Sequence, residues 1–125
     1  MSGAPLAIRP LVQPPSARIT VPGSKSITNR ALLIAALAEG RSELHGALFS
    51  DDTRHMVAAL RALGVRVATD EAAARIAVDG CGGRWPARDA ELHVGNAGTA
   101  MRFLVAALCL GHGRYRRLTI LVKAF

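Results

Sequence analysis

The spacing of apolar residues changes several times along the chain, and each change marks an element. Residues 17–21 (ARITV) alternate, which predicts a strand, and Pro22 and Gly23 stop it. From Ser24 the spacing turns helical through KSITNRALLIAALAEG, with Gly40 as the expected C-terminal cap. Residues 41–48 (RSELHGAL) predict a second strand. Ser50 or Asp51 can cap the next helix, whose apolar face carries Met56, Leu60 and Leu63 and which Gly64 ends. Residues 65–69 (VRVAT) and 74–78 (RIAVD) flank a short connection, Asp70 to Ala73, and read as a hairpin. A loop follows over 80–90, then a strand over 91–94, then a helix from about Gly98 to Leu110. Ahead of all this, residues 1–16 carry Pro5, Pro10, Pro14 and Pro15 and read as an extended lead-in.

Strands and helices thus alternate, which predicts an α/β fold. An internal echo divides it. Ile19 to Leu32 (ITVPGSKSITNRAL) and Leu92 to Leu104 (LHVGNAGTAMRFL) are each a strand, a tight turn of small polar residues, and a helix with an Arg in its second turn. Both helices then run apolar, over 31–38 and 103–110. A helix that is apolar all round is buried on every side, which predicts helices enclosed by sheets.

Composition narrows the function classes. Half of the 125 residues are hydrophobic, so a core can form. The net charge of +7 invites a nucleic-acid reading, but Arg114, Arg116, Arg117 and Lys123 near the C-terminus supply +4 of it. No basic face is interleaved with aromatics, which argues against a nucleic-acid partner. Cys81 and Cys109 stand far apart and the four histidines are scattered, so neither a metal site nor a disulfide framework is indicated. No run is long and apolar enough for a membrane span, and the expected compartment is the cytoplasm.

A sharper asymmetry is that no Asp or Glu occurs before Glu39, although Arg9, Arg18, Lys25 and Arg30 do. The turn Gly23-Ser24-Lys25-Ser26 leads into a helix, whose first amides and dipole favour an anion. Ser26 and Arg30 share a face at i,i+4, and Arg30 can grip a carboxylate or phosphate with two hydrogen bonds. Two readings stand: Ser24 merely caps the helix while Lys25 and Arg30 are solvated, or the turn holds an anionic ligand. The P-loop spacing is absent. The second turn, Gly95-Asn96-Ala97-Gly98-Thr99, lets a ligand approach the backbone. Asn96 and Thr99 can either cap the helix or meet that ligand.

Three blocks carry a resemblance: PGSKSITNRALLIAALAEG, LFSDDTRHMVAALRALGV and VGNAGTAMRFLVAALCLG. In order and spacing they resemble the enolpyruvylshikimate-phosphate synthases over about residues 17–115. The resemblance implies an inside-out barrel of βαβαββ repeats with buried helices, incomplete in this chain. It implies a lead-in (1–16) that pairs with a second domain, a partial N-terminal domain (17–115), and an atypical tail (116–125). The implied reaction moves the enolpyruvyl group of phosphoenolpyruvate to shikimate 3-phosphate and releases phosphate, in aromatic amino-acid biosynthesis. It proceeds by addition and elimination, with no metal or organic cofactor, in a monomeric parent. By the same resemblance Lys25, Ser26 and Arg30 meet shikimate 3-phosphate, and Lys25, Asn96, Gly98 and Thr99 meet phosphoenolpyruvate. Asp51 and Asp52 read mainly as helix-capping residues.

Two departures stand out. Phe103 occupies a position where many members have Pro. After Tyr115 the chain lacks the family's R-M-x-x-R-P block and reads RRLTILVKAF, as a frameshift or truncated gene would give. The resemblance places the catalytic base outside these residues, so no catalytic residue is assigned and the chain alone is expected to be inactive. The competing readings are a non-catalytic anion-binding or interaction module, and a relative of the enolpyruvyl transferase that acts on a UDP-amino sugar. The latter has Asn after the motif lysine, where this chain has Ser26.

Overall fold

A computed structural model describes residues 6–119. Its elements are α1 (Lys25–Leu37), β1 (Glu39–His45), α2 (Asp51–Ala62), β2 (Arg66–Asp70), β3 (Arg75–Cys81), β4 (Asp89–His93), α3 (Gly98–Leu108) and β5 (Arg114–Thr119). The α/β architecture expected from the alternation is present. No barrel closes among the described residues.

β3 lies at the centre of an antiparallel sheet ordered β1-β3-β2. Its alternating side chains explain the arrangement. Ile76 and Val78 point into the core, and Val67 on β2 joins them from directly opposite Val78. α1 packs on β1 and β3, and α2 packs on β2 and against α1. Leu32, Met56, Leu60 and Leu63 fill the space between. β4 and β5 pair in parallel, with α3 as the crossover. Trp85 Nε1 donates to Ala107 O at 3.3 Å, and Tyr115 Oη to Ala87 O at 3.2 Å, so the 82–88 loop is tied to this second unit.

The structure departs from the sequence expectations in several places. Residues 17–21 form no strand: nothing pairs with them among the described residues, and Ile19 and Val21 are exposed. Gly40 is not a cap. α1 ends at an extended Ala38, and β1 has already begun at Glu39. β3 runs on to Cys81 because β1 supplies partners that far, Glu39 opposite Cys81. The tail continues a strand from Arg114 to Thr119 beside β4, whereas residues 120–125, like 1–5 of the lead-in, lie outside the described residues. The apolar helices bury their sheet-facing sides, while Ile27 and Ile34 of α1 and Val105 of α3 remain exposed.

Candidate functional site

The first turn is built by capping. Ser24 Oγ accepts from the Ile27 amide, and Thr28 Oγ1 donates to Ser24 O at 2.9 Å while accepting from the Leu48 amide at 3.1 Å. Thr28 therefore fastens the helix start to the segment leading into α2. This frees Lys25, Ser26 and Arg30 from structural duty. Ser26 is half-buried and Arg30 exposed, and neither forms a side-chain hydrogen bond or ion pair among the described residues.

Lys25 does have a partner. Its Nζ lies 3.2 Å from Asp52 Oδ2, with the two side chains 48% and 24% exposed. Asp52 was read from sequence as a helix cap, but that task falls to Ser50, whose Oγ accepts from the Thr53 amide at 3.3 Å. The acidic partner sought for Lys25 thus comes from 27 residues downstream, a relation no local signal carries. A half-exposed pair of this kind contributes only about 0–1 kcal/mol to stability.

The second turn is formed by backbone. Gly95 sits at φ +52°, and the Ala97 amide bonds Val94 O at 2.9 Å. Ala97 is the N-cap of α3 and has no side-chain cap, so neither Asn96 nor Thr99 is used for capping. Both side chains are free of hydrogen bonds among the described residues. A Cβ on Gly98 would meet nothing within 4 Å, so the space beside it is open.

α2 links the two turns. Its first turn reaches Lys25 through Asp52. One turn later, His55 lies so close to the second turn that a Cβ on Gly95 would stand 2.6 Å from His55 Nε2. The scattered histidines gave no hint of this contact. A further link runs directly between the helices, where the Arg30 guanidinium sits over the Phe103 ring, 5.7 Å from its centroid. One turn along α1 from Lys25, Asn29 is fully buried with both amide heteroatoms unpaired among the described residues.

Other charged features are structural. Arg54 donates two hydrogen bonds to Glu71 (3.3 and 2.8 Å) and also pairs with Asp51. Those hydrogen bonds raise the guanidinium pKa above its usual value and lower that of the Glu71 carboxyl. A hollow of about 530 Å³ lies along the sheet, lined by Arg41, Arg61, Arg66 and Asp79 among others. It does not reach either turn, and its cations are engaged: Arg41 and Arg66 with Asp79, Arg61 with Val67 O. Among the described residues no group of three or more His, Cys, Asp or Glu could hold a metal ion, and no helix is long and apolar enough to cross a membrane.

Comparison with known proteins adds an independent line. The family model for EPSP synthase (3-phosphoshikimate 1-carboxyvinyltransferase) matches residues 12–119. A 3-phosphoshikimate 1-carboxyvinyltransferase of Bordetella avium (strain 197N) is 65% identical over 96 residues, covering 77% of this chain and 21% of that protein. One from Laribacter hongkongensis (strain HLHK9) is 53% identical over 97 residues, covering 78% of this chain and 23% of that protein. The structure superposes on that of EPSP synthase from Acinetobacter baumannii with a TM-score of 0.64 at 33% identity, over 72% of this chain and 20% of that one. The chain thus spans about a quarter, or less, of the length of these relatives.

Proposed function

The chain belongs to the EPSP synthase family, and on that premise we propose that it supplies one wall of a site transferring the enolpyruvyl group of phosphoenolpyruvate to a hydroxyl of shikimate 3-phosphate. Lys25, Ser26 and Arg30 hold shikimate 3-phosphate. Lys25, Asn96, Gly98 and Thr99 border phosphoenolpyruvate. The partial N-terminal domain is residues 17–115, and the setting is a cytoplasmic, monomeric parent.

The observation that carries this reading is the state of Arg30. It is a cation in the second turn of α1, without a carboxylate partner among the described residues, and one turn from an unengaged Ser26. The hydrogen-bonding capacity of Arg30 is therefore left for an anion. Arg binds phosphate through two parallel hydrogen bonds, and Lys25 adds a point charge beside Asp52. In the reaction the acceptor hydroxyl adds across the enolpyruvyl double bond, its oxygen to the carbon that bears the phosphate and a proton to the methylene carbon; loss of phosphate and of a proton from the resulting methyl group then restores the double bond. Both substrates are strongly anionic, so the cations hold them together against their mutual repulsion, and the open space at Gly98 admits the smaller one.

The test is calorimetric titration with shikimate 3-phosphate, paired with an assay of phosphate release. The chain is expected to bind shikimate 3-phosphate weakly, to lose that binding in Arg30→Ala, and to release no phosphate alone. The carboxylate beside Lys25, Asp52, is taken up in an ion pair. An absence of saturable binding, or binding indifferent to Arg30→Ala, overturns the assignment. Phosphate release dependent on both substrates would show that the chain itself carries the acid–base groups.

A further inference from the structure

The contact between Arg30 and Phe103 joins the two turns, and neither the sequence motifs nor the comparisons give it a role. The guanidinium carbon is 5.7 Å from the ring centroid, inside the roughly 6 Å reach of a cation–π interaction. The ring is well supported. Phe103 is partly buried and packs against the core, whereas Arg30 projects into solvent. Among the described residues the ring is the side-chain partner that Arg30 has.

The helical spacing gives the contact its meaning. Thr99 and Phe103 stand at i,i+4 on α3, so the ring lies on the face that carries one side of the second turn. Ser26 and Arg30 stand at i,i+4 on α1 in the same way. We propose that Phe103 is a positioning residue whose ring holds the Arg30 guanidinium ready for an anionic group of shikimate 3-phosphate. The inference rests on the assignment of Arg30 to that ligand.

The chemistry is compatible with binding. With its carbon 5.7 Å from the ring centroid, the guanidinium keeps N–H groups available for hydrogen bonds to a carboxylate or phosphate. An unconstrained Arg loses several rotamers when it grips a ligand. One that already rests against a ring has fewer to lose, and the gain appears as affinity. The same ring sits one helical turn beyond Thr99, so a shift of α3 at the second turn moves the arginine that serves the first.

The experiment uses the chain with Phe103 replaced by Tyr, Leu or a trifluorinated phenylalanine. The fluorinated ring keeps the shape of Phe but weakens its negative face, so folding is not put at risk. Two readouts are taken: the ring-current shift of the Arg30 side-chain Nε–H by NMR without ligand, and the affinity for shikimate 3-phosphate by calorimetry. The expected result is an upfield-shifted Arg30 signal that moves back in Phe103→Leu. Affinity falls about two- to five-fold for Leu and for the fluorinated ring, and is retained by Tyr. Unchanged or tighter binding in Phe103→Leu, with the unsubstituted chain binding and Arg30→Ala not, overturns the positioning role alone. Failure of the unsubstituted chain to bind overturns the ligand assignment and this inference with it.

Discussion

Gly98→Ala separates ligand contact from folding because the structure fixes the folding term in advance. Gly98 is the first residue of α3, its φ lies outside the left-handed region, and an added Cβ meets no atom within 4 Å. Alanine is therefore accommodated, and it removes freedom from the unfolded chain, a gain of about 0.4–1 kcal/mol. For a chain of this size the gain raises Tm by roughly 2–5 °C. If phosphoenolpyruvate fills the open space, the methyl intrudes on it. Intruding one methyl into a filled space costs about 1–3 kcal/mol, or roughly 5- to 150-fold in affinity. If shikimate 3-phosphate is held at Lys25, Ser26 and Arg30 as proposed, its affinity changes less than about twofold. The assay is a melting curve together with titrations of each ligand and of a phosphoenolpyruvate analogue. A fall in Tm, or equal losses for both ligands, refutes the reasoning, because either result means that the methyl acts through the fold.

The remaining predictions concern single side chains. Lys25→Ala removes a half-exposed ion pair, so stability changes by no more than about 1 kcal/mol, while binding of either substrate loses a charge-assisted contact of roughly 1.5–3 kcal/mol; near-normal affinity would remove Lys25 from the site. Asn29→Ala breaks no described hydrogen bond and should cost under about 1 kcal/mol by denaturant melt, whereas Leu32→Ala, equally buried, costs about 2–5 kcal/mol; equal costs would mean that the amide is bonded in solution. Glu71 titrates below its usual value in the fold because of its hydrogen bonds from Arg54. Its small contribution is therefore present above the unfolded carboxyl pKa and fades as pH falls through the lower folded value. Glu71→Gln should flatten the acid side of the stability curve slightly, and a steeper curve would contradict the pairing.

What the sequence revealed follows the range of the forces involved. The starts of α1 and α2 were legible because Ser24 and Ser50 act within three residues of themselves. The β2–β3 hairpin was legible because alternation and a short turn are local as well. The strand proposed for 17–21 failed because alternation says that a segment could pair but not that a partner exists. Gly40 was misplaced because a glycine after a helical pattern looks like a cap, while here the backbone turned at Ala38 to reach β3. Of the candidate site, Lys25, Ser26, Arg30, Asn96, Gly98 and Thr99 were legible as two turns. Their connections were not. Asp52 to Lys25, His55 beside Gly95 and Phe103 beneath Arg30 are contacts across elements, which exist only once α1, α2 and α3 have packed.

The central place of β3 in its sheet sets an order of assembly. β2 and β3 meet across a tight turn at 71–74 and can zip early, since closing a short loop costs little entropy. β1 must wait for that hairpin, because its pairs join Glu39 to Cys81 and His45 to Arg75 across all of α2. Gly23, at the head of the first turn, rests so closely on the Gly46 carbonyl that a Cβ there would overlap it, so the turn takes its shape only after β1 has docked. The first turn is therefore among the last parts of the molecule to form. Its amides should lose protection from hydrogen exchange before those of β3 do, and a bound phosphate should slow the chain's unfolding far more than it speeds its folding.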